Sequence, residues 1–255
     1  MSYIADLFSL EGKTAIVTGA SRGLGRAIAI AMNGAGANVA LVGRNSEELL
    51  TTQDLLTSKE KSIVVQCDVT SRHEMTLAFE KIEVQFGNVD ILVNNAGIIR
   101  RNPALEYTEE DWDAVLETNL SSVFMWSQEA GKRMKTNGGG KIINIASILS
   151  FSGGLNAVAY AAAKGGVAQM TKTLANEWAK YSLNVNAIAP GYFITDATSA
   201  LRANDERSAY ILSRIPTGRY GEPGELAGTA IFLASKASDY VTGHILSVDG
   251  GWNAM

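Results

Sequence analysis

Tyr160 and Lys164 stand four residues apart in the run Y-A-A-A-K. On a helix that spacing puts both side chains on one face, one turn apart. Ser147 lies upstream at the end of an apolar run, before a loop holding Gly153 and Gly154. A phenol with a cation beside it can give a proton to a carbonyl or take one from an alcohol. Alone, the pair says little: the chain has eight tyrosines, and a Tyr-x-x-x-Lys is more often a surface pair on a helix. It becomes chemistry only if a cofactor loop and a parallel sheet accompany it in the right order.

Thr14 to Thr18 is a short apolar run that reads as a buried strand. Gly19, Ala20, Ser21, Arg22, Gly23, Leu24 and Gly25 follow, and then a helical apolar spacing from Arg26. Strand, glycine turn and helix together aim a helix N-terminus at a pyrophosphate. The spacing is G-x-x-x-G-x-G and differs from the usual G-x-G-x-x-G, so a purely structural turn is the alternative. Asn38 to Val42 reads as the second strand. An acidic residue near its end would accept the ribose hydroxyls of NAD, and this chain has Gly43-Arg44 there. Gly43 leaves room and Arg44 offers a planar fork to a phosphate, with Arg22 as a second cation. The expected cofactor is therefore NADP(H), with NAD(H) as the alternative. The competing reading of Arg44 is an ordinary exposed residue after a strand.

Ser46 to Ser58 reads as an amphipathic helix capped by Ser46. Ser62 to Cys67 is the third strand, ending in Asp68-Val69, where the carboxylate either meets an adenine or caps a turn. Thr70 to Phe86 is a helix, and Asp90 to Asn94 the fourth strand. It runs into Asn95, Ala96 and Gly97, small enough to let a flat ring or ribose lie against the backbone. Thr108 opens a long helix with Asp111 as a box-like partner. Asn119 sits inside that helix, where Asn is a poor fit; either packing tolerates it, or it marks a kink or a held water. Lys141 to Ile145 is the fifth strand, leading to Ser147. The helix of Tyr160 and Lys164 runs to about Lys180. Leu183 to Ile188 is the sixth strand, closed by Pro190-Gly191. From Tyr192 to Gly221 the pattern loosens, as a substrate lid would. Glu222 to Ser235 is a helix and His244 to Val248 the last strand. The alternation predicts one α/β domain over 1–255: a doubly wound Rossmann fold with a mostly parallel seven-stranded sheet and helices on both faces.

Composition agrees. The chain has 255 residues, 46% hydrophobic and 19% charged, with net charge −4, ample for one core. No basic block predicts nucleic-acid binding. No apolar run is long enough to predict a membrane span, and the N-terminus does not read as a signal peptide. One Cys, Cys67, fits a reducing, cytoplasmic setting. Two His, His73 and His244, with that Cys predict no transition-metal site.

Taken in order, these pieces resemble the short-chain dehydrogenase/reductase family over essentially the whole chain. The match runs through T-G-A-S-R-G-L-G at Thr18 to Gly25, D-V at Asp68, N-N-A-G at Asn94 to Gly97 and Asn119. It continues through Ser147, Tyr160, Lys164 and P-G-Y-F-I-T at Pro190 to Thr195. The resemblance implies Tyr160 as acid/base, Ser147 polarising the substrate oxygen, Lys164 holding the nicotinamide ribose, and Asn119 supporting a proton-relay water. It also implies that Thr195 faces the carboxamide of the nicotinamide, and that four subunits form a homotetramer.

F-S-L-E-G-K near the start, N-A-G-I-I-R-R at Asn95 to Arg101, N-E-W-A-K at Asn176 to Lys180, R-I-P-T-G-R at Arg214 to Arg219 and the ending V-D-G-G-W narrow the likeness. They are similar to the 2-dehydro-3-deoxy-D-gluconate 5-dehydrogenases, and gluconate 5-dehydrogenases share several of them. A sugar acid needs a cation for its carboxylate, and Arg100, Arg101, Arg202, Arg207 and Arg214 are the candidates. Two rival readings are a 3-oxoacyl carrier-protein reductase using NADPH and a non-catalytic dinucleotide-binding regulator. An intact Tyr160 and Lys164 argue against the second.

A free phenol ionises near pH ~10, so reaching neutrality takes roughly 4 kcal/mol. One cation at ~5 Å with an effective dielectric of ~20 supplies about 3 kcal/mol. Lys164 with an oxidised nicotinamide is thus expected to suffice, less the desolvation that opposes the phenolate.

Overall fold

The computed structural model describes residues 2–254. The apolar runs become β1 (Thr14–Thr18), β2 (Asn38–Gly43), β3 (Ser62–Gln66), β4 (Ile91–Asn94), β5 (Gly140–Ile145), β6 (Leu183–Pro190) and β7 (Ile245–Val248). They form one sheet in the order β3-β2-β1-β4-β5-β6-β7. Every neighbouring pair is parallel, so the expected mostly parallel sheet is wholly so. Parallel strands need crossovers, and helices provide them: α2 (Gly23–Gly34), α3 (Ser46–Asp54), α4 (Arg72–Phe86), α5 (Glu109–Leu116), α6 (Ser122–Thr136), α7 (Val158–Trp178) and α10 (Pro223–Ala234). A short α1 (Tyr3–Phe8) precedes β1; the sequence reading had no element there.

The strands are apolar on both faces because helices cover both. Side chains alternate. Ala15 and Val17 of β1, Val39 and Leu41 of β2, and Ile91 and Val93 of β4 join α2 and α10 in one core layer. Ile16, Ala40 and Leu92 join Phe79 of α4 and Trp126 and Met134 of α6 in the other. The chain winds outward from β1 to β3, then returns to lay β4 on the other side of β1. Ligands of such sheets bind beyond the carboxyl ends of the strands at this switch point. The loops after β1, β4, β5 and β6, which carry many of the predicted site residues, leave from those ends.

Several local expectations change. Asn45, not Ser46, caps α3: its Oδ1 accepts from the amides of Glu47 (3.0 Å) and Glu48 (3.2 Å). Asn caps as well as Ser does, and here it stands where an oxygen reaches the first free N–H groups. Ser46 instead donates to Gln66 (3.0 Å). α4 starts at Arg72, capped by Ser71, because Thr70 is drawn into the turn made by Asp68. The strand β6 extends to Pro190, which pairs with Val248. The segment 192–221, which looked irregular, holds two helices, α8 (Asp196–Arg202) and α9 (Asp205–Ser213), closed at the base by a parallel bridge between Phe193 and Gly221. Their short, polar faces bury only Ile211, too weak a periodicity to read from sequence.

Candidate active site

The cofactor side begins with bare backbone. Gly19 and Gly23 carry φ of +66° and +55°, where a side chain is strained. A Cβ on Gly25 would lie 2.2 Å from the Gly19 carbonyl oxygen and 2.4 Å from Asn95 Nδ2. The loop is held from three sides. Thr18 Oγ1 accepts from the amides of Asn95 (3.0 Å) and Ala96 (3.1 Å), and donates to the Val93 carbonyl. Asn95 Nδ2 donates to the carbonyls of Thr18 (2.9 Å) and Gly19 (3.1 Å). Thr52 donates to the carbonyls of Ala20 and Ser21, and Arg26 also donates to Ser21. Leu24 turns its side chain to the core. This rigid cradle at the start of α2 fits the pyrophosphate of a nicotinamide dinucleotide.

Around it, Arg22 pairs with Asp196 (3.4 Å), and Arg44 is exposed at the end of β2. Asp68 takes the turn reading: its Oδ1 accepts from the amide and hydroxyl of Thr70. Burial would raise its carboxyl, but those bonds and the charge of Arg44 hold it below its ordinary range. The Val69 carbonyl accepts from Trp126 (3.1 Å). Asn119 lies in a π-helical turn, Glu117–Ser121, between α5 and α6. Its Oδ1 accepts from the Ile98 amide (2.8 Å) and its Nδ2 donates to the Ile98 carbonyl (2.7 Å). A poor helix residue is thus spent on pinning the loop of Ala96 and Gly97, where a Cβ on Gly97 would meet Asn119 Oδ1 at 2.8 Å. A widened turn at a functional position is the usual place for such a bulge.

On the chemical side, Tyr160 and Lys164 occupy successive turns of α7, with Lys164 Nζ 5.6 Å from the Tyr160 ring centre. Ser147 follows β5 in extended backbone. Its Oγ accepts from the Leu149 amide (3.1 Å), and Ser150 ties its amide to the Lys164 carbonyl. Burial pushes the Tyr160 phenol above its ordinary value, opposed by the Ser147 hydroxyl and the Arg101 guanidinium. That is the desolvation expected to oppose the phenolate. The Lys164 ammonium is buried and donates to the Ile145 carbonyl (2.5 Å). Burial alone pushes Lys164 down to about 8.

That shift has a thermodynamic consequence. Below about pH 8 both folded and unfolded chains hold the Lys164 proton; between there and the ordinary 10.5, the folded chain loses it first. Folding stability should therefore rise over that window, by up to about 3 kcal/mol relative to Lys164→Met. Urea melts of both proteins at pH 7.5 and 9.5 test it; parallel changes in the two would refute the buried ammonium as the cause.

The last wall comes from β6 and the helix pair. Gly191 donates to the Val248 carbonyl (3.0 Å), and a Cβ there would strike Asp249 at 2.7 Å. Thr195 caps α8, and its methyl lies 3.4 Å from where a Cβ on Gly23 would sit. The candidate arginines separate. Arg101 lies close enough to Tyr160 and Tyr192 to affect both phenols, and Arg207 and Arg214 act on Tyr192. Arg100 pairs with Asp111 (3.5 Å), Arg202 reaches the Thr195 carbonyl (3.4 Å), and Arg214 stacks on Trp252 (4.3 Å). Trp252 is buried among Ile148, Ile211 and Ile215, so the C-terminal turn wedges the helix pair against the Ser147 loop.

The sequence reading assigned no role to Thr18, Arg26, Thr52, Ser150, Tyr192 or Trp252. A hydroxyl at the last position of a strand, just before a glycine turn, was a usable signal for Thr18. Nothing local marks Thr52, which reaches a loop 31 residues earlier in the chain. Among the described residues, no group of three His, Cys, Asp or Glu side chains could hold a metal, and no helix is long and apolar enough to cross a membrane.

A family described as enoyl-(acyl carrier protein) reductase, within the short-chain dehydrogenases/reductases, matches residues 19–253. The chain belongs to the short-chain dehydrogenase/reductase family and is an NAD(P)-dependent oxidoreductase. Its similarity is narrower than the family. A 2-dehydro-3-deoxy-D-gluconate 5-dehydrogenase from Escherichia coli strain K12 is 49% identical over 253 residues, 98% of this chain and 99% of that one. A gluconate 5-dehydrogenase from Gluconobacter oxydans is 42% identical over 96% of both. The crystal structure of a gluconate 5-dehydrogenase from Burkholderia cenocepacia, in complex with NADP and tartrate, superposes with a TM-score of 0.95 at 38% identity, covering 99% of this chain and all of that one.

Proposed function

We propose that this chain is a 2-dehydro-3-deoxy-D-gluconate 5-dehydrogenase, exchanging a hydride between NADP(H) and the secondary alcohol or ketone of a sugar acid. One observation carries the reading: Tyr160 and Lys164 share one face of α7, with Lys164 Nζ 5.6 Å from the Tyr160 ring centre, and the Ser147 hydroxyl and the Arg101 guanidinium both act on the phenol. A catalytic phenol next to a cation that can hold a carboxylate is what a sugar-acid oxidoreductase needs. The names of the 49% and 42% identical relatives support the substrate class. The NADP in the Burkholderia cenocepacia relative, with Gly43-Arg44 here, supports the phosphorylated cofactor.

A bound dinucleotide supplies the hydride acceptor or donor. The chain's own residues handle the proton. Tyr160 Oη takes the hydroxyl proton in oxidation and returns it in reduction, while the Ser147 hydroxyl holds the same oxygen as charge develops. Lys164, one turn from Tyr160 on α7, would hold the nicotinamide ribose. Asn119 holds the Ile98 loop that borders the ring site. Gly19 to Gly25, Arg44, Asp68, Val69, Asn95 to Gly97, Pro190, Gly191 and Thr195 would line the dinucleotide. The helix pair at 192–221 acts as the lid, bringing Arg207 toward Arg101. The active form is a homotetramer in the cytoplasm; the family resemblance supports the first, and the free, buried Cys67 suits a reducing compartment.

A screen of hexonates and 2-keto-3-deoxy sugar acids with both dinucleotides tests the reading. The highest kcat/KM should fall on 2-dehydro-3-deoxy-D-gluconate or its 5-keto partner with NADP(H). Preference for gluconate would favour the sister activity, and preference for NAD(H) would remove the cofactor assignment. Arg101→Met should raise KM for the sugar acid by a factor of roughly 10 or more, as expected when a charged contact to a carboxylate is lost. It should also move the alkaline limb of the oxidation rate to higher pH, because the cation that pulls the phenol down is gone. Arg100→Met, at a side chain already paired with Asp111, should do neither.

A further inference from the structure

Arg22 is the only residue of the glycine cradle that reaches across to the lid by a charge. Its Nη1 lies 3.4 Å from Asp196 Oδ2, and the two side chains are 64% and 75% exposed. Asp196 is the first residue of α8, directly after Thr195, whose methyl abuts the Gly23 turn. The ion pair therefore ties the start of the lid to the loop that receives the dinucleotide.

An exposed pair of this kind is weak and screened by salt. A guanidinium makes stronger, bidentate contacts to a phosphate than to a solvated carboxylate. A dinucleotide carrying a 2′-phosphate would therefore win Arg22, but only by breaking the pair with Asp196. A dinucleotide without that phosphate leaves the pair intact. We propose that Asp196 is a determinant of cofactor specificity: it competes with the 2′-phosphate for Arg22 and holds down the preference for NADP(H) over NAD(H). Arg44 then selects the phosphate while Asp196 restrains that selection. The inference rests on the NADP(H) reading given above.

The test is calorimetric titration of the full-length protein with NADP+ and with NAD+, for the wild type, Asp196→Asn, Arg22→Met and the double variant. Both side chains are largely exposed, so folding should survive. Asp196→Asn should tighten NADP+ by about threefold at low salt and leave NAD+ unchanged. The gain should shrink as salt is raised and vanish in the Arg22→Met background. Equal changes for both dinucleotides, or a gain that persists without Arg22, would overturn the proposal. The wild-type ratio of the two affinities reports separately on the cofactor assignment. The competition is read from how that ratio changes between variants, so either conclusion can fail without the other.

Discussion

Tyr160→Phe should leave the protein folded and able to bind its dinucleotide, and lower turnover by about 10³-fold, the scale of a lost general acid/base. The substitution removes one oxygen. The ring stays in place on α7, and Lys164, still bonded to the Ile145 carbonyl, does not depend on the phenol for its position. Burial keeps the phenol neutral near pH 7, so no charge is lost with the oxygen and stability should be little changed. Dinucleotide affinity by fluorescence titration should stay within about twofold, because the cradle of Gly19 to Gly25 is untouched. The wild-type oxidation rate should climb with pH as the phenol ionises, and the reduction rate should fall over the same range. In Tyr160→Phe both limbs should flatten. Turnover near the wild-type value would remove Tyr160 from the mechanism, whatever the rest of the site does.

Gly25→Ala should have the second largest effect, through cofactor binding rather than proton transfer. The new methyl would start 2.2 Å from the Gly19 carbonyl oxygen and 2.4 Å from Asn95 Nδ2, two atoms that already bond to each other at 3.1 Å. One side of the clash is backbone, so relief requires moving the strand-end loop that Thr18, Thr52 and Arg26 hold in place. Such overpacking costs about 3 kcal/mol or slightly more. Whatever protein remains folded should bind dinucleotide at least ~100-fold more weakly, as 2.7 kcal/mol of misplaced cradle would require. Gly34→Ala is the control. It lies in the same helix, ordinary in φ, with nothing within 4 Å of its Cβ, and should be neutral or stabilising by up to about 1 kcal/mol. If the two variants melted alike and bound alike, the cradle would not be what the glycines are for.

The two cases show different degrees of legibility. The strands were readable because parallel strands covered on both faces are largely apolar, as the runs 14–18, 38–42, 141–145 and 183–188 are apart from polar residues such as Asn144, Asn184 and Asn186. The Tyr160–Lys164 pairing was readable because one helical turn fixes it. The kink at Asn119 was readable as a residue out of place, although its partner, the Ile98 backbone, was not. The helices α8 and α9 were missed because they bury almost nothing of their own, and periodicity records only what is buried.

Local order in the chain determined the element types, the glycine turn between β1 and α2, and the phenol and ammonium one turn apart, because each depends on contacts within a few residues. Tertiary structure alone decided what surrounds that pair. Lys164 donates to the Ile145 carbonyl at the end of β5, and Arg101, 59 residues from Tyr160 in sequence, adds its charge to the phenol's surroundings. A side chain's charge acts through space in a medium whose dielectric depends on burial, and neither distance nor burial is written in the spacing of residues along a chain.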